Sequence, residues 1–116
     1  MDDRKRRLAQ NEALFREVND RVTDAHAEWS ALAGRDDVFE IVCECAHEQC
    51  AETIRVTLAE YETVRAVGAR FLIRPGHAID DVEQVVERHD DYDVVEKTGE
   101  SKQYVERLDP RSRPRP

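Results

Sequence analysis

Apolar residues recur every seven positions along the first third of the chain, at Leu8, Phe15, Val22 and Trp29. Asn11, Val18, Ala25 and Leu32 interleave with them at spacings of three and four. This pattern predicts one long amphipathic helix over residues 4–33, stopped by Gly34, with a heptad seam nearly four repeats long. The seam has two uses. It packs against the rest of the chain, with the Trp29 end joining the core and the Leu8 end projecting. Alternatively, it pairs with the same helix of a second copy, where Asn11 would fix the register. Packing within the chain is slightly favoured, because the remaining sequence has few other large apolar residues.

Beyond the polar connector Arg35–Asp37 the period changes to two. Val38–Cys43 reads as a strand with Phe39 and Ile41 on one face, and Thr53–Thr57 reads as its return strand, with Ile54 and Val56 alternating with polar residues. Thr57 and Glu60 form a capping box that opens a helix to about Val67, burying Leu58, Tyr61, Val64 and Val67 and ending at Gly68. Arg70–Arg74 is a short strand broken by Pro75 and Gly76. Asp80 or Asp81 caps a second short helix carrying Ile79, Val82, Val85 and Val86. His89–Asp91 turns the chain into a last strand, Tyr92–Lys97. Ser101–Leu108 reads as a final helix in preference to a hairpin strand. The expected fold is α+β. It comprises a long N-terminal helix (1–34) and a small domain (35–108) with a mostly antiparallel sheet of three or four strands, two or three short helices and a metal-stapled hairpin. Residues 109–116, with prolines at 110, 114 and 116, are expected to be a disordered tail.

Composition changes this picture little. A chain of 116 residues, 38% charged and 40% hydrophobic, supports one modest core. No apolar run approaches the roughly 18–20 residues needed to cross a bilayer. The charged start, Met1–Arg7, is unlike a signal sequence, so a cytoplasmic location is expected. The net charge of −8 is uneven: residues 1–7 and 109–116 are each net +2, leaving −12 on residues 8–108. A body that acidic repels phosphate backbones and disfavours nucleic acid as a partner.

The chemistry lies in Cys43, Cys45 and Cys50, the chain's three cysteines, spaced C-x-C-x4-C directly after a strand. Thiols this close in a reducing compartment point to a metal site, and a thiolate-rich site points to zinc. The same spacing is used by the cysteine segment after the SET domain of protein lysine methyltransferases, although only the spacing is similar. The fourth ligand is expected to be His77, held by the Pro75–Gly76 turn, with His47 as second choice. His26 and His89 are expected to be solvated. The competing reading, three small buried hydrophobes, suits Cys43 but not Cys45 and Cys50, which lie among Glu44, His47, Glu48 and Gln49. A catalytic zinc site would need Glu44 or Glu48 as base and a pocket. The phosphate-binding, dinucleotide, hydrolase, metalloprotease and deaminase signatures are all absent, so no enzymatic activity is expected. Asp36–Asp37, Asp80–Asp81 and Asp90–Asp91 read as caps and turns.

The segments at 11–19, 42–50, 57–65, 70–77 and 94–97 together resemble a family of short, mostly uncharacterised actinobacterial-type proteins with a C-x-C-x4-C…P-G-H pattern. The resemblance implies a compact single-domain unit and maps its cysteines and Pro-Gly-His onto Cys43, Cys45, Cys50 and His77. It implies no particular activity. Three roles follow as expectations. The first is a small zinc-binding regulatory or protein–protein interaction module, with an unknown protein or a second copy as partner. The second is a thiol-based redox or zinc-responsive switch. The third and weakest is a nucleic-acid-associated regulator.

Overall fold

Helix α1 (Asp3–Ala33) is the first element of the computed structural model, which describes residues 1–112. The Asp2 side chain accepts from the Lys5 N–H at its start, and Gly34 closes it in the left-handed conformation, donating to Ser30 O. The helix is where the heptad predicts it, but it docks on another face. Ala9, Glu12, Ala13, Arg16, Asn19, Thr23 and Ser30 are buried. Val18 and Val22 are each 40% exposed, Trp29 44% and Leu32 90%, while Leu8 and Phe15 are half-buried. The seam therefore does not join the core, contrary to expectation.

The reason is a set of polar partners from distant parts of the chain. Arg16 donates to the carbonyls of Gly68 (2.6 Å) and Val105 (2.9 Å) and lies over the Phe71 ring. Glu12 accepts from Lys97 at 2.6 Å, and Asp20 accepts from the Tyr61 hydroxyl at 2.6 Å. Small Ala9 and Ala13 sit on the same buried face. Periodicity of apolar residues cannot register a face that is buried because its charges are paired.

Strands β1 (Phe39–Val42) and β2 (Thr53–Val56) form an antiparallel hairpin with Ile41 opposite Ile54. Helix α2 (Leu58–Arg65) opens on the capping box of Thr57 and Glu60. Asp36 reinforces that end by accepting from the N–H groups of Leu58 and Ala59. Strands β3 (Arg70–Ile73), β4 (Glu83–Arg88) and β5 (Asp93–Lys97) make a second antiparallel sheet in the order β3-β5-β4, and helix α3 (Gly99–Leu108) follows. The fold is α+β, with its strands divided between sheets of two and three. Ile41, Ile54, Val56, Tyr61, Phe71, Leu72, Val94 and Val105 share one core. Among the described residues, no helix is long and apolar enough to cross a membrane.

Two further expectations are corrected. The segment read as a helix capped by Asp80 or Asp81 is instead β4. A register shift between Val85 and Glu87 interrupts its pairing with β5. The bulge breaks the period of two, so Val82, Val85 and Val86 fall at helix-like spacings of three and four. The strand also delivers Glu83, fully covered, to the buried ammonium of Lys97 at 3.2 Å. The C-terminal segment is ordered at its start. Asp109 is buried, Pro110–Ser112 forms a 3₁₀ turn, and Arg111 pairs with Glu62. The disorder expected of residues 113–116 concerns positions outside the described residues.

Arg65 is the hub of this C-terminal closure. Its guanidinium donates to Asp20 at 2.8 and 2.9 Å and to Asp109 at 2.6 and 3.1 Å. Gly68 makes room for it, because a Cβ there would meet Asp109 Oδ2 at 3.1 Å. Burial alone would raise both aspartates, but the Arg65 hydrogen bonds outweigh it and hold both carboxyls below their ordinary range. Depressed carboxyls contribute stability that is present above their unfolded value of about 3.9 and lost as pH falls through the folded value. Arg65→Ala takes the buried guanidinium away from Asp20 and Asp109 and should cost about 3–5 kcal/mol in urea unfolding. The variant should also lose less stability than the parent on acidification below about pH 4. A loss under about 1 kcal/mol would reject Arg65 as the hub.

Candidate metal centre

An extended backbone sends alternate side chains to opposite faces, so a C-x-C segment turns both cysteines one way and its middle residue the other. Here the middle residue is Glu44, and it points inward. Its Oε2 accepts from Asn19 Nδ2 at 2.8 Å and its Oε1 from the Leu72 N–H at 3.0 Å, while its own N–H donates to Leu72 O at 2.9 Å. Asn19 also bonds both main-chain groups of Val42 at 2.8 Å, and Asn11 donates to Ala46 O at 3.0 Å. The knuckle between β1 and β2 is thereby pinned to α1 on one side and β3 on the other. Burial pushes the Glu44 carboxyl up to about 7, against the pull of the Asn19 amide and the Leu72 N–H.

The cysteines occupy the opposite side. The Cys43 N–H donates to Glu52 O at 2.9 Å, extending the hairpin, and the Cys50 N–H donates to His47 O at 3.1 Å, closing the turn. Cys43 and Cys45 are buried and Cys50 is half-buried. The other donor arrives from the end of β3. In Arg74-Pro75-Gly76-His77, Pro75 presets its φ, Gly76 takes φ +86°, and the His77 N–H returns to Arg74 O at 3.1 Å. That is the form of a type II turn, and the third residue needs the freedom of glycine. It places His77 Nδ1 3.5 Å from Cys43 Sγ and 3.7 Å from Cys50 Sγ. The donor atoms of Cys43, Cys45, Cys50 and His77 all lie within 4.8 Å of one another.

Further groups orient these donors. Glu52 Oε2 meets His77 Nε2 at 2.8 Å, fixing the ring with Nδ1 toward the thiols. The Arg74 N–H donates to Cys43 Sγ at 3.2 Å. The Arg74 guanidinium is held by Asp91 at 2.6 Å, and Asp91 also accepts from the Arg55 N–H at 2.8 Å, so β2 and the β3 turn are tied together beside the site. The Cys45 thiol, hydrogen-bonding to Cys43, draws the Cys43 thiol down to about 5 against its burial, with Arg74 N–H and His77 adding to the effect. The same contact and burial push Cys45 up.

The structure thus brings together all four residues named from the sequence. His47 stays outside the group. It is exposed, and its ring stands edge-on to His77 at 6.2 Å. His26, expected in solvent, instead stacks on Phe39 at 4.0 Å, and His89 lies in an exposed turn against Tyr92 and Glu87. Glu44 faces away from the cysteines and is no base for a bound water, and Glu48 is exposed. The role of Glu44 went unread. The available signal was its position between the two cysteines, where the alternation of an extended chain turns it toward the core.

No family model, curated protein or solved structure matches the chain.

Asn19→Ala removes the amide that satisfies Val42 and Glu44 together. Each buried group left unpaired costs about 1–3 kcal/mol, and urea unfolding should show a loss of at least that size. An unchanged midpoint would mean that water replaces Asn19 freely and that the knuckle is not pinned through it.

Proposed function

We propose that the chain is a small non-enzymatic zinc protein whose Cys3His site staples the β1–β2 knuckle to the turn after β3, and that it serves as a protein–protein interaction or regulatory module. One observation carries the metal reading: four metal-ligating side chains from two separate segments converge within 4.8 Å. Zinc suits this donor set. Tetrahedral bonds of about 2.3 Å to sulfur and about 2.1 Å to nitrogen space the donors about 3.6–3.8 Å apart. The distances from His77 Nδ1 to Cys43 and Cys50, 3.5 and 3.7 Å, match that spacing. Such a thiolate site suits a reducing compartment, and the cytoplasm is the location proposed. The closed set of four protein donors leaves no position for substrate, which favours a structural ion over a catalytic one.

Elemental analysis of protein purified under reducing conditions should find about one zinc per chain, and less than about 0.2 would sink this reading. Cys45→Ser should abolish retention of the ion, and chelation of the parent should lower its melting temperature. Glu52→Gln keeps all four ligands but loses the carboxylate behind His77. It should weaken zinc affinity by about ten- to a hundredfold in a competition titration.

A thiol-based switch is the second reading, favoured by the incomplete cover of the site: Cys50 is half-buried and the His77 side chain is 25% exposed. Peroxide taking two electrons from a pair of these thiolates would leave a disulfide and remove two ligands from the ion. Mild peroxide should then release zinc, and reductant with zinc should restore the folded hairpin. Zinc that stays bound under these conditions rejects the switch and leaves the staple.

A further inference from the structure

Among the described residues, six large hydrophobic side chains are exposed, and five of them lie on α1: Leu14, Val18, Val22, Trp29 and Leu32. Spacings of four, four, seven and three place them along one side of the helix, opposite the face that docks on the domain. Isolated exposed apolar residues are ordinary, but a continuous stripe on a helix marks a contact surface. We propose that this stripe is a dimer interface, on which the same helix of a second copy packs antiparallel. The inference is independent of the metal site and rests on a different part of the chain.

Charge along the stripe selects the occupant and its direction. In an antiparallel pair related by a two-fold axis, core positions of one helix meet the complementary core positions of the other. Centring the axis between residues 23 and 24 sets Trp29 against the partner's Val18, Val22 against the partner's Ala25, and Phe15 against the partner's Leu32. Each layer occurs twice. The flanking positions in the same register set Arg21 against the partner's Glu28, again twice, and both side chains are exposed in the single chain. The overlap spans residues 14–33 and holds all five exposed large apolar residues of α1, from Leu14 to Leu32.

A parallel pair has no such match. It would set Arg21 and Glu28 opposite the partner's His26 and Ala33, and it would stack the basic start of α1, Arg4 to Arg7, on its own copy. The buried flank of the helix, with Glu12 and Asn19, is occupied by the chain's own domain, so the two domain bodies lie on the outer sides of the helix pair. The seam read from the heptad thus has its second use: it serves a neighbour and not the core.

Sedimentation of the full chain at ~0.15 M salt, from about 1 to about 200 µM, should show a concentration-dependent species of twice the single-chain mass. Arg21→Glu and Glu28→Arg each bring like charges together across the interface, and each should weaken the dimer at least about tenfold. The double swap R21E/E28R restores the pairing and should recover the parental dissociation constant within about threefold. Both sites are exposed, and unchanged far-UV circular dichroism would verify that the variants fold. A chain that stays monomeric at the highest concentration overturns the proposal, including the case in which the stripe serves a different protein. A dimer indifferent to the single swaps, or not recovered by the double swap, overturns it as well.

Discussion

The Glu44 carboxylate accepts from the Asn19 amide on α1 and from the Leu72 N–H on β3, while its main chain belongs to the knuckle after β1. Three separate parts of the chain therefore share one buried acidic group. A carboxylate out of water must be hydrogen-bonded, and it enforces the positions of its donors more strictly than an apolar contact would. The cysteines depend on this indirectly. Once Glu44 is turned toward α1 and β3 and held, the alternation of the extended backbone turns Cys43 and Cys45 together to the opposite, still buried side. His77 depends on it too, because Glu44 fixes Leu72, which lies two residues before the Arg74-Pro75-Gly76-His77 turn.

Helix α1 follows the same logic on a larger scale. Arg16, Asn19, Asp20 and Glu12 are matched to particular carbonyls, hydroxyls and charges, so the helix has one rotation and one depth at which these pairings form together. An apolar face could slide or turn at lower cost. Docking through paired polar groups also leaves the apolar seam uncommitted, and a helix 31 residues long can then be held rigidly by one side while presenting the other.

Most elements could be read from the sequence because each carries a local cause. The heptad gives α1, the capping box gives α2, alternation gives β1 and β2, short apolar runs bounded by turn residues give β3 and β5, and Pro75-Gly76-His77 gives the turn that delivers the imidazole. The four clustered donors were readable for the same reason, since three of them are close in sequence and the fourth sits at a rigid turn. The parts that escaped are those whose cause is non-local. β4 is disguised by its bulge, and its Glu83 is explained only by Lys97. The buried face of α1 is explained only by residues tens of positions away. Asp109 is fastened by Arg65, which no reading of a proline-rich C-terminus would suggest.

Among the described residues, the sheet order β3-β5-β4 leaves β3 with one side unpaired by any strand. Along that side the Leu72 N–H and C=O are both taken by Glu44, and the Arg74 N–H is taken by Cys43 Sγ. The knuckle is therefore also a cover for an open strand edge, the feature through which sheets recruit foreign strands and aggregate. The opposite edge, β4, is guarded by its bulge and by Gln84, Glu87 and Arg88. Whatever holds the cysteine knuckle closed thus guards the folded chain against strand recruitment as well as against unfolding, because a knuckle that opens uncovers a template.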